Sequence, residues 1–367
     1  TIESKEKIAI ASKNTNVKKT EKSHDRILQL ISSYNLSLVG PLVPGYSHVE
    51  LKCNICDTEF KYTKQYFTNS KTFSDMCPTC YPPELTKSFA QQEIYDFIHQ
   101  YHPDSIYNYR KHYHDKEIDI YIPSLNLGFE YNGLYWHSEI YKDKSYHINK
   151  TNIATKSNIR LIHIFEDEWI NNKDIVKSRI KVLLNVCDHK IFARKCKVKI
   201  LDSEANIFLN KHHIQGSGRS NVKLGLYYNG TLVSVMTFLN NDISKNVKGW
   251  ELNRFCTIGD TIVVGGASKL FNFFIREFEP TQITSFADAR WSSINSIYLS
   301  LGFEYVNLSV PNYWYITKPY SKRFHRYSLR KPINCSLSEI ELRHSEGYLR
   351  IWDCGSYKFL WSNKKAG

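Results

Sequence analysis

The chain reads as an α/β multidomain protein, and three observations predict this. It is 367 residues long, more than a single hydrophobic core usually organises. Its apolar residues, 42% of the chain, alternate as strands in some stretches and recur at helical spacing in others. Two Cys-x-x-Cys pairs, Cys53/Cys56 and Cys77/Cys80, set apart a small module with the spacing of a zinc ribbon.

The elements follow in order. Residues 1–22 are polar and lysine-rich and predict a flexible basic arm with no apolar signal core. Residues 23–83 predict the zinc-ribbon domain. Ser23 can cap a helix whose apolar face is Ile27, Leu28, Leu30 and Ile31. Val49 to Lys52 alternates as a strand entering the first cysteine pair. Tyr81-Pro82-Pro83 marks a boundary.

Residues 84–190 predict an α/β unit. Ser88 caps a helix from Phe89 to Gln100, and Glu117 to Ile122 forms a strand. Ser124-Leu125-Asn126 turns it, so that Leu127 to Tyr131 returns as its hairpin partner. A helix from His147 to Ser157, a buried strand Arg160 to Phe165 and a helix from about Glu168 to Asn185 complete the unit.

Residues 191–330 predict a second unit. Asn229-Gly230 splits Leu224 to Tyr228 from Leu232 to Phe238, a strong hairpin signal. A helix from Ser268 to Phe278 follows Gly265-Gly266, and Ile283 to Asp288 is a strand. A helix is expected over Ser292 to Leu301 and a strand over Tyr313 to Ile316. Residues 331–367 predict a β-rich tail of short strands and turns.

Charge is uneven. The formal net charge is +13, from 49 Lys+Arg against 36 Asp+Glu. It divides as about +3 over residues 1–83, about −1 over 84–190 and about +11 over 191–367. A carboxylate-bearing middle beside a basic C-terminal half suits a polyanionic partner. No run of roughly 18 apolar residues is present, so no membrane-spanning helix is expected. Nine cysteines without a secretion signal suit a reducing compartment. Five of them (Cys187, Cys196, Cys256, Cys335 and Cys354) are expected as free thiols.

Two constellations carry chemistry. Cys53, Cys56, Cys77 and Cys80 can close on one tetrahedral Zn²⁺; four thiolates leave no open coordination position, which makes that ion structural. Asp119 and Glu130 fall on adjacent strands of a tight hairpin, where their carboxylates can converge on a hard cation such as Mg²⁺. Glu93 on the preceding helix is a third candidate. His137 follows closely enough to act as base, acid or phosphate donor. His147 and Lys150 share a helical face and add a proton carrier and a positive charge. Arg290, Trp291, Lys322, Arg323 and Arg326 interleave cations with aromatics and are candidate DNA contacts.

Residues 84–190 resemble the PD-(D/E)xK nuclease superfamily through Glu93, Asp119 and Glu130. The run EIDIYIPSLNLGFEYNGLYWHSE, with YHINKTN and RLIHIFEDEW, resembles phage-type homing endonucleases related to very-short-patch repair endonucleases. The resemblance implies a three-layer α/β/α core, Mg²⁺ dependence, and cleavage of double-stranded DNA in the cytoplasm of a bacterial host, at its nucleoid. Asn132 stands where the family's lysine would be, which points to Lys150 or His137 for that role. The runs GLYYNGTLVSVMTF, VVGGASKLFNFFI and ITSFADARWSSINSIYLSLGFEYV resemble a GNAT-type acyltransferase fold. That resemblance implies an acetyl-CoA cradle at Val264 to Ala267. Ile262 stands where the family's Arg or Gln would be, so acetyl-CoA is not expected and the half is read as DNA-binding.

The sequence thus predicts a Mg²⁺-dependent endonuclease with a structural zinc. The alternatives are a DNA-base-modifying acyltransferase with a nuclease-like targeting domain and a non-catalytic DNA-binding protein. Purified protein should contain about one zinc per chain, the stoichiometry of a single Cys₄ site. Zinc-free protein with an intact far-UV spectrum and unchanged melting would overturn the assignment.

Overall fold

The computed structural model of the chain describes residues 24–33, 35–42, 48–55, 57–63, 77, 89–110, 117–241 and 249–363. They belong to two compact units, Thr1–Ser88 and Phe89–Gly367. The basic arm expected over residues 1–22 lies outside the described residues.

In the first unit a helix, α1, spans 24–33. Ile27 and Ile31, one turn apart, are both buried, whereas Leu28 faces outward at 46% exposure. Strands β1 (Leu36–Leu38), β2 (His48–Cys53) and β3 (Glu59–Thr63) form an antiparallel sheet in that order. In β2 the inward residues Val49, Leu51 and Cys53 alternate with outward His48 and Glu50, as one face of the sheet covers α1.

The second unit opens with α2 (Phe89–His99), which buries Ile94 and Ile98 at i, i+4 spacing. Strands β4 (Ile106–Tyr109), β5 (Ile118–Ile122), β6 (Leu127–Asn132) and β7 (Arg160–Phe165) form a four-stranded sheet in sequence order. The β5–β6 hairpin turns through Pro123–Leu125 and Asn126, whose φ of +47° suits asparagine. Strand β7 runs parallel to β6, which requires a crossover. Helix α3 (Tyr146–Lys156) is that crossover. Two helices follow, α4 (Glu166–Asn171) and α5 (Lys173–Leu184). The single helix expected there breaks at Asn172, where φ of −131° leaves the helical region.

Helices cover both faces of this sheet. Ile162 packs with Ile94, Ile98, Val176 and Ile180 of α2 and α5. Its neighbour Leu161, pointing to the other face, packs with Ala154 of α3.

The rest of the unit contributes β8 (His189–Phe192), β9 (Lys197–Ile200), α6 (Glu204–His212), β10 (Val222–Tyr228), β11 (Thr231–Asn240), β12 (Trp250–Thr257), β13 (Thr261–Val264), α7 (Gly266–Phe278) and β14 (Gln282–Asp288). Then come α8 (Ile297–Ser300), β15 (Glu304–Leu308), β16 (Tyr313–Ile316), β17 (Phe324–His325), α9 (Glu339–Ser345), β18 (Leu349–Trp352) and β19 (Ser356–Ser362). A seven-stranded sheet runs β15-β19-β14-β12-β11-β10-β9. Asn229 and Gly230 both have positive φ, the conformation of a two-residue hairpin turn. Helix α7 buries Leu270, Phe271 and Phe274 in the core cluster of this sheet.

Three expectations change. The helix expected from Ser292 to Leu301 shrinks to α8. Residues 331–367 are no appended tail, because β19 lies between β14 and β15 inside the large sheet. That segment also holds α9, capped by Ser338 with Glu341 answering it.

The third change concerns the boundary near residue 191. Residues beyond 191 pack directly against the four-stranded half. Trp291, 3% exposed, sits in the cluster of α2 and α5. Leu134 and Phe165 pack with Ile316 and Ile351, and Ile148 packs with Ala289 and Cys354. His163 N donates to Arg290 O at 3.1 Å, and Ala289 N to Gly355 O at 3.0 Å. Gly355, at φ +77°, admits no side chain: a Cβ there would lie 2.3 Å from Ser309 O.

An ion-pair network crosses the same seam. Arg290 Nη1 donates to Glu168 Oε1 at 2.7 Å, and Arg290 Nη2 to Asp288 Oδ2 at 2.7 Å. Arg323 reaches Asp167 at 2.9 Å and Glu168 at 2.7 Å. Burial opposes the Glu168 charge, but the two guanidiniums hold its pKa down to about 2. These contacts correct the reading of Arg290 and Arg323 as DNA contacts, since their side chains, only 4% and 6% exposed, are consumed inside the protein. The Trp291 ring is buried in the core of α2 and α5. Arg290→Ala would leave Glu168 and Asp288 with lost partners in the interior. It should lower stability by roughly 3–5 kcal/mol, measured by urea unfolding of the full chain; a loss under about 1 kcal/mol, the range of an exposed pair, would refute the interlock.

Candidate functional site

The β5–β6 hairpin sets two carboxylates side by side. Tyr131 N donates to Asp119 Oδ2 at 2.7 Å, and Asp119 N donates to Glu130 Oε1 at 3.3 Å. Each carboxylate is thus held by the backbone of the other's strand. Glu130 is 2% exposed and Asp119 is half-buried. Burial raises the pKa of both, and the Glu130 charge raises that of Asp119 further.

Helix α3 supplies the counter-charge. Lys150 Nζ donates to Glu130 Oε2 at 2.5 Å, and the ammonium is 8% exposed. Burial works against this charge, but Glu130 and Asp119 outweigh it and raise the Lys150 pKa. Tyr146, one helical turn earlier, is half-buried, and its phenol pKa is raised by burial and by the Glu130 and Asp119 charges against the opposing pull of Lys150. With neutral histidines, the pocket sets two carboxylates against one ammonium, an acid-rich donor set. That set suits a divalent cation.

A chain of imidazoles continues inward. His137 Nδ1 and His147 Nε2 are 2.9 Å apart, with rings stacked at 5.1 Å. His147 is 1% exposed, whereas His137 is half-buried and is the outer member. His163, paired with Glu130 in the β6–β7 register, lies 2.9 Å from Thr151 Oγ1 through Nε2 and 3.3 Å from Asn132 Nδ2 through Nδ1. Thr151 Oγ1 also lies 3.6 Å from Cys354 Sγ of the C-terminal segment. His147 Nδ1 and Asn132 Oδ1 are buried without a hydrogen-bond partner.

The structure brings Asp119, Glu130, Lys150, His137 and His147 into one cluster, as the sequence suggested. Glu93 does not join by any bond. Its carboxylate accepts from Trp169 Nε1 at 3.0 Å and from Lys173 Nζ at 2.8 Å, and lies 3.9 Å from Lys177. Asn132 turns its side chain toward His163, and the ammonium beside the carboxylates is that of Lys150 on α3. His163, Thr151 and Tyr146 were missed. A histidine inside the apolar strand RLIHIF, and a threonine four residues after His147, were the available signals.

The other expected sites are dispersed. Cys53 and Cys77 are buried in one cluster with Ile27 and Leu51. Ile55 N donates to Cys53 Sγ at 3.4 Å. Cys56 and Cys80 lie outside the described residues. Lys322 is exposed, and Arg326 lies over the Tyr313 ring at 4.9 Å. At the Gly265-Gly266 turn the chain fills its own space. β13 pairs with β8, and Lys269 Nζ donates to Ala193 O at 2.9 Å. Beside the carboxylate cluster an aromatic group of Tyr135, Trp136 and Tyr141 stands at the surface, with Trp136 64% exposed.

In comparisons with known proteins, no protein family matches the chain and no curated protein matches it.

The cluster combines two acids, a fixed cation and uncharged imidazoles. Burial, then Lys142 and Lys150, lowers the His137 pKa from 6.5 to about 3. Burial also lowers those of His147 and His163. A folded value below the unfolded one means the neutral ring stabilises the fold fully above pH 6.5, and this contribution fades as pH falls toward about 3. The His137 ring signals should therefore stay unshifted in an NMR titration from about pH 8 to about pH 5. A midpoint near the ordinary value would show that the ring is not enclosed as described.

Proposed function

We propose that the chain is a metal-dependent endonuclease acting on double-stranded DNA, of the homing type. The observation that carries this reading is the Asp119–Glu130 pair, locked across a hairpin with Lys150 against it. On this reading the four-stranded sheet with helices on both faces is a three-layer nuclease core of the PD-(D/E)xK kind. The seven-stranded sheet, with its parallel β12–β14 pair, is a GNAT-like fold used as part of the scaffold. The first unit is a zinc ribbon, with Cys53, Cys56, Cys77 and Cys80 as ligands to a structural Zn²⁺.

Asp119 and Glu130 would hold Mg²⁺, which when bound supplies Lewis-acid stabilisation of charge on a phosphoryl oxygen. The remaining work falls to the chain itself. Lys150 keeps its proton and presents a fixed positive charge beside Glu130, where negative charge accumulates during phosphodiester hydrolysis. His137 uses Nδ1 against His147, which leaves Nε2 as the atom that accepts or returns a proton. His147 orients that ring through its own Nε2, and Thr151 donates to the His147 backbone oxygen while it bonds His163. The net charge of +13 suits a polyanionic substrate.

The acyltransferase reading has less support, because the turn before α7 is occupied by residues 189–196. The test is incubation of plasmid DNA with the full chain and Mg²⁺, followed by sequencing of the ends. Asp119→Ala and Glu130→Ala should each lower the cleavage rate by more than roughly 100-fold, with DNA affinity little changed. Undiminished cutting by either variant, or in EDTA, would sink the assignment.

A further inference from the structure

Strands β12 and β14 run parallel but pair only from Trp250 to Leu252 and from Ile283 to Ser285. Beyond those residues they part. The next residues on each strand, Asn253 to Phe255 and Phe286 to Asp288, line a cavity of about 160 Å³. That space admits one tetrahedral oxyanion.

The side chains that meet there are donors. Arg179 comes from α5 and stacks on Trp291, with its guanidinium 4.7 Å from the ring centroid. Its Nε is buried without a hydrogen-bond partner, and so is Trp291 Nε1. Arg254 donates only to backbone carbonyls, those of Gly216 at 3.1 Å and Asn253 at 2.7 Å. His213 lines the same space, and its Nδ1 accepts from Gln215 N at 3.2 Å, which leaves Nε2 carrying the proton.

Among the described residues neither Arg179 nor Arg254 has a carboxylate within ion-pair distance; the carboxylates that act on them do so from farther away. Asp288 lines the cavity and Glu168 acts on Arg179 from farther away, but both are already held by Arg290. Glu251 acts on Arg254 without a direct bond. Burial and the two guanidiniums lower the His213 pKa to about 3, so the imidazole stays neutral. Two half-buried guanidiniums and two buried, unpartnered N–H groups converge on one space, a donor set that suits an anionic acceptor.

We propose that the cleft between the splayed strands β12 and β14 binds the oxyanion of a phosphate group, held by Arg179 and Arg254 with His213 and the Trp291 indole. Because Arg179 belongs to the four-stranded half and Arg254 to the seven-stranded half, the bound group bridges the two sheets. The same chemistry is offered by a free phosphate or phosphomonoester and by a phosphodiester of DNA.

The test uses the full chain in EDTA, so that no outcome depends on cleavage. Thermal melts are recorded with inorganic phosphate and with sodium chloride at equal ionic strength. Affinity for a short duplex oligonucleotide is measured in parallel. The Trp291 indole N–H signal, assigned with Trp291→Phe, reports occupancy without altering either arginine. If the site takes a free phosphate, inorganic phosphate raises the melting temperature beyond chloride and shifts the indole signal. Arg179→Met and Arg254→Met then remove the increment, and exposed Arg276→Met keeps it. If it takes a DNA phosphate, only the duplex shifts the indole signal, and Arg179→Met weakens duplex binding by roughly tenfold or more. An indole signal unmoved by both ligands, or an unchanged response in Arg179→Met, overturns the proposal. Should the methionine variants fail to fold, the indole signal of the unaltered chain decides.

Discussion

Arg290 is where the two sheets of the larger unit are joined. Its guanidinium spans Asp288 at the end of β14 and Glu168 in α4, the helix that follows β7, and its backbone oxygen pairs with His163 in β7. A buried arginine is tolerable only with such company, since an unpaired charge in the interior costs several kcal/mol. Arg323 donates to the same Glu168 oxygen and adds Asp167, while Phe165 N donates to the other Glu168 oxygen. The carboxylates that open α4 therefore do more than offset the helix dipole. They fix the C-terminal half against the strand that carries His163, and the candidate site inherits its rigidity from that contact.

The buried polar cluster depends on this enclosure. An imidazole removed from water and set near Lys150 stays uncharged, so three histidines can stack and pair without repelling one another. The same enclosure makes two adjacent carboxylates costly, and the backbone amides of Asp119 and Tyr131 with the Lys150 ammonium offset only part of that cost. Cys354 touches Thr151 from the far end of the chain. Residues separated by two hundred positions thus share one network, which is why the seven-stranded half is part of the site's scaffold and no detachable module. The parted strands β12 and β14 extend the same seam: Arg179 of the first half and Arg254 of the second face one cavity.

Much of the local structure was legible in the residues. The strand Arg160–Phe165 has the bounds its apolar run suggests, because five buried residues, Leu161 to Phe165, between polar ends leave little freedom. The β5–β6 and β10–β11 hairpins follow from Asn126 and from Asn229-Gly230, where the backbone needs positive φ. The convergence of Asp119 and Glu130 followed from the hairpin register alone. Boundaries inside long helical patterns were less legible: Asn172 ends one helix and begins the next, and the stretch before Ile297 is held by turns around Asp288 that no periodicity encodes.

What the sequence determined by itself is therefore local: strand alternation, turn residues, the paired cysteines, and the carboxylates with Lys150 and His147 on one crossover helix. What only the tertiary structure decided is which charges are free. Arg290, Trp291 and Arg323 look like a nucleic-acid surface in sequence, since cations beside aromatics read the same whether exposed or enclosed. Their partners, Glu168, Asp167 and the core around Ile94, lie more than a hundred residues away. The insertion of Ser356–Ser362 into the middle of the large sheet was equally invisible. Strand order is set by long-range burial and backbone pairing, and neither leaves a mark on the spacing of neighbouring residues.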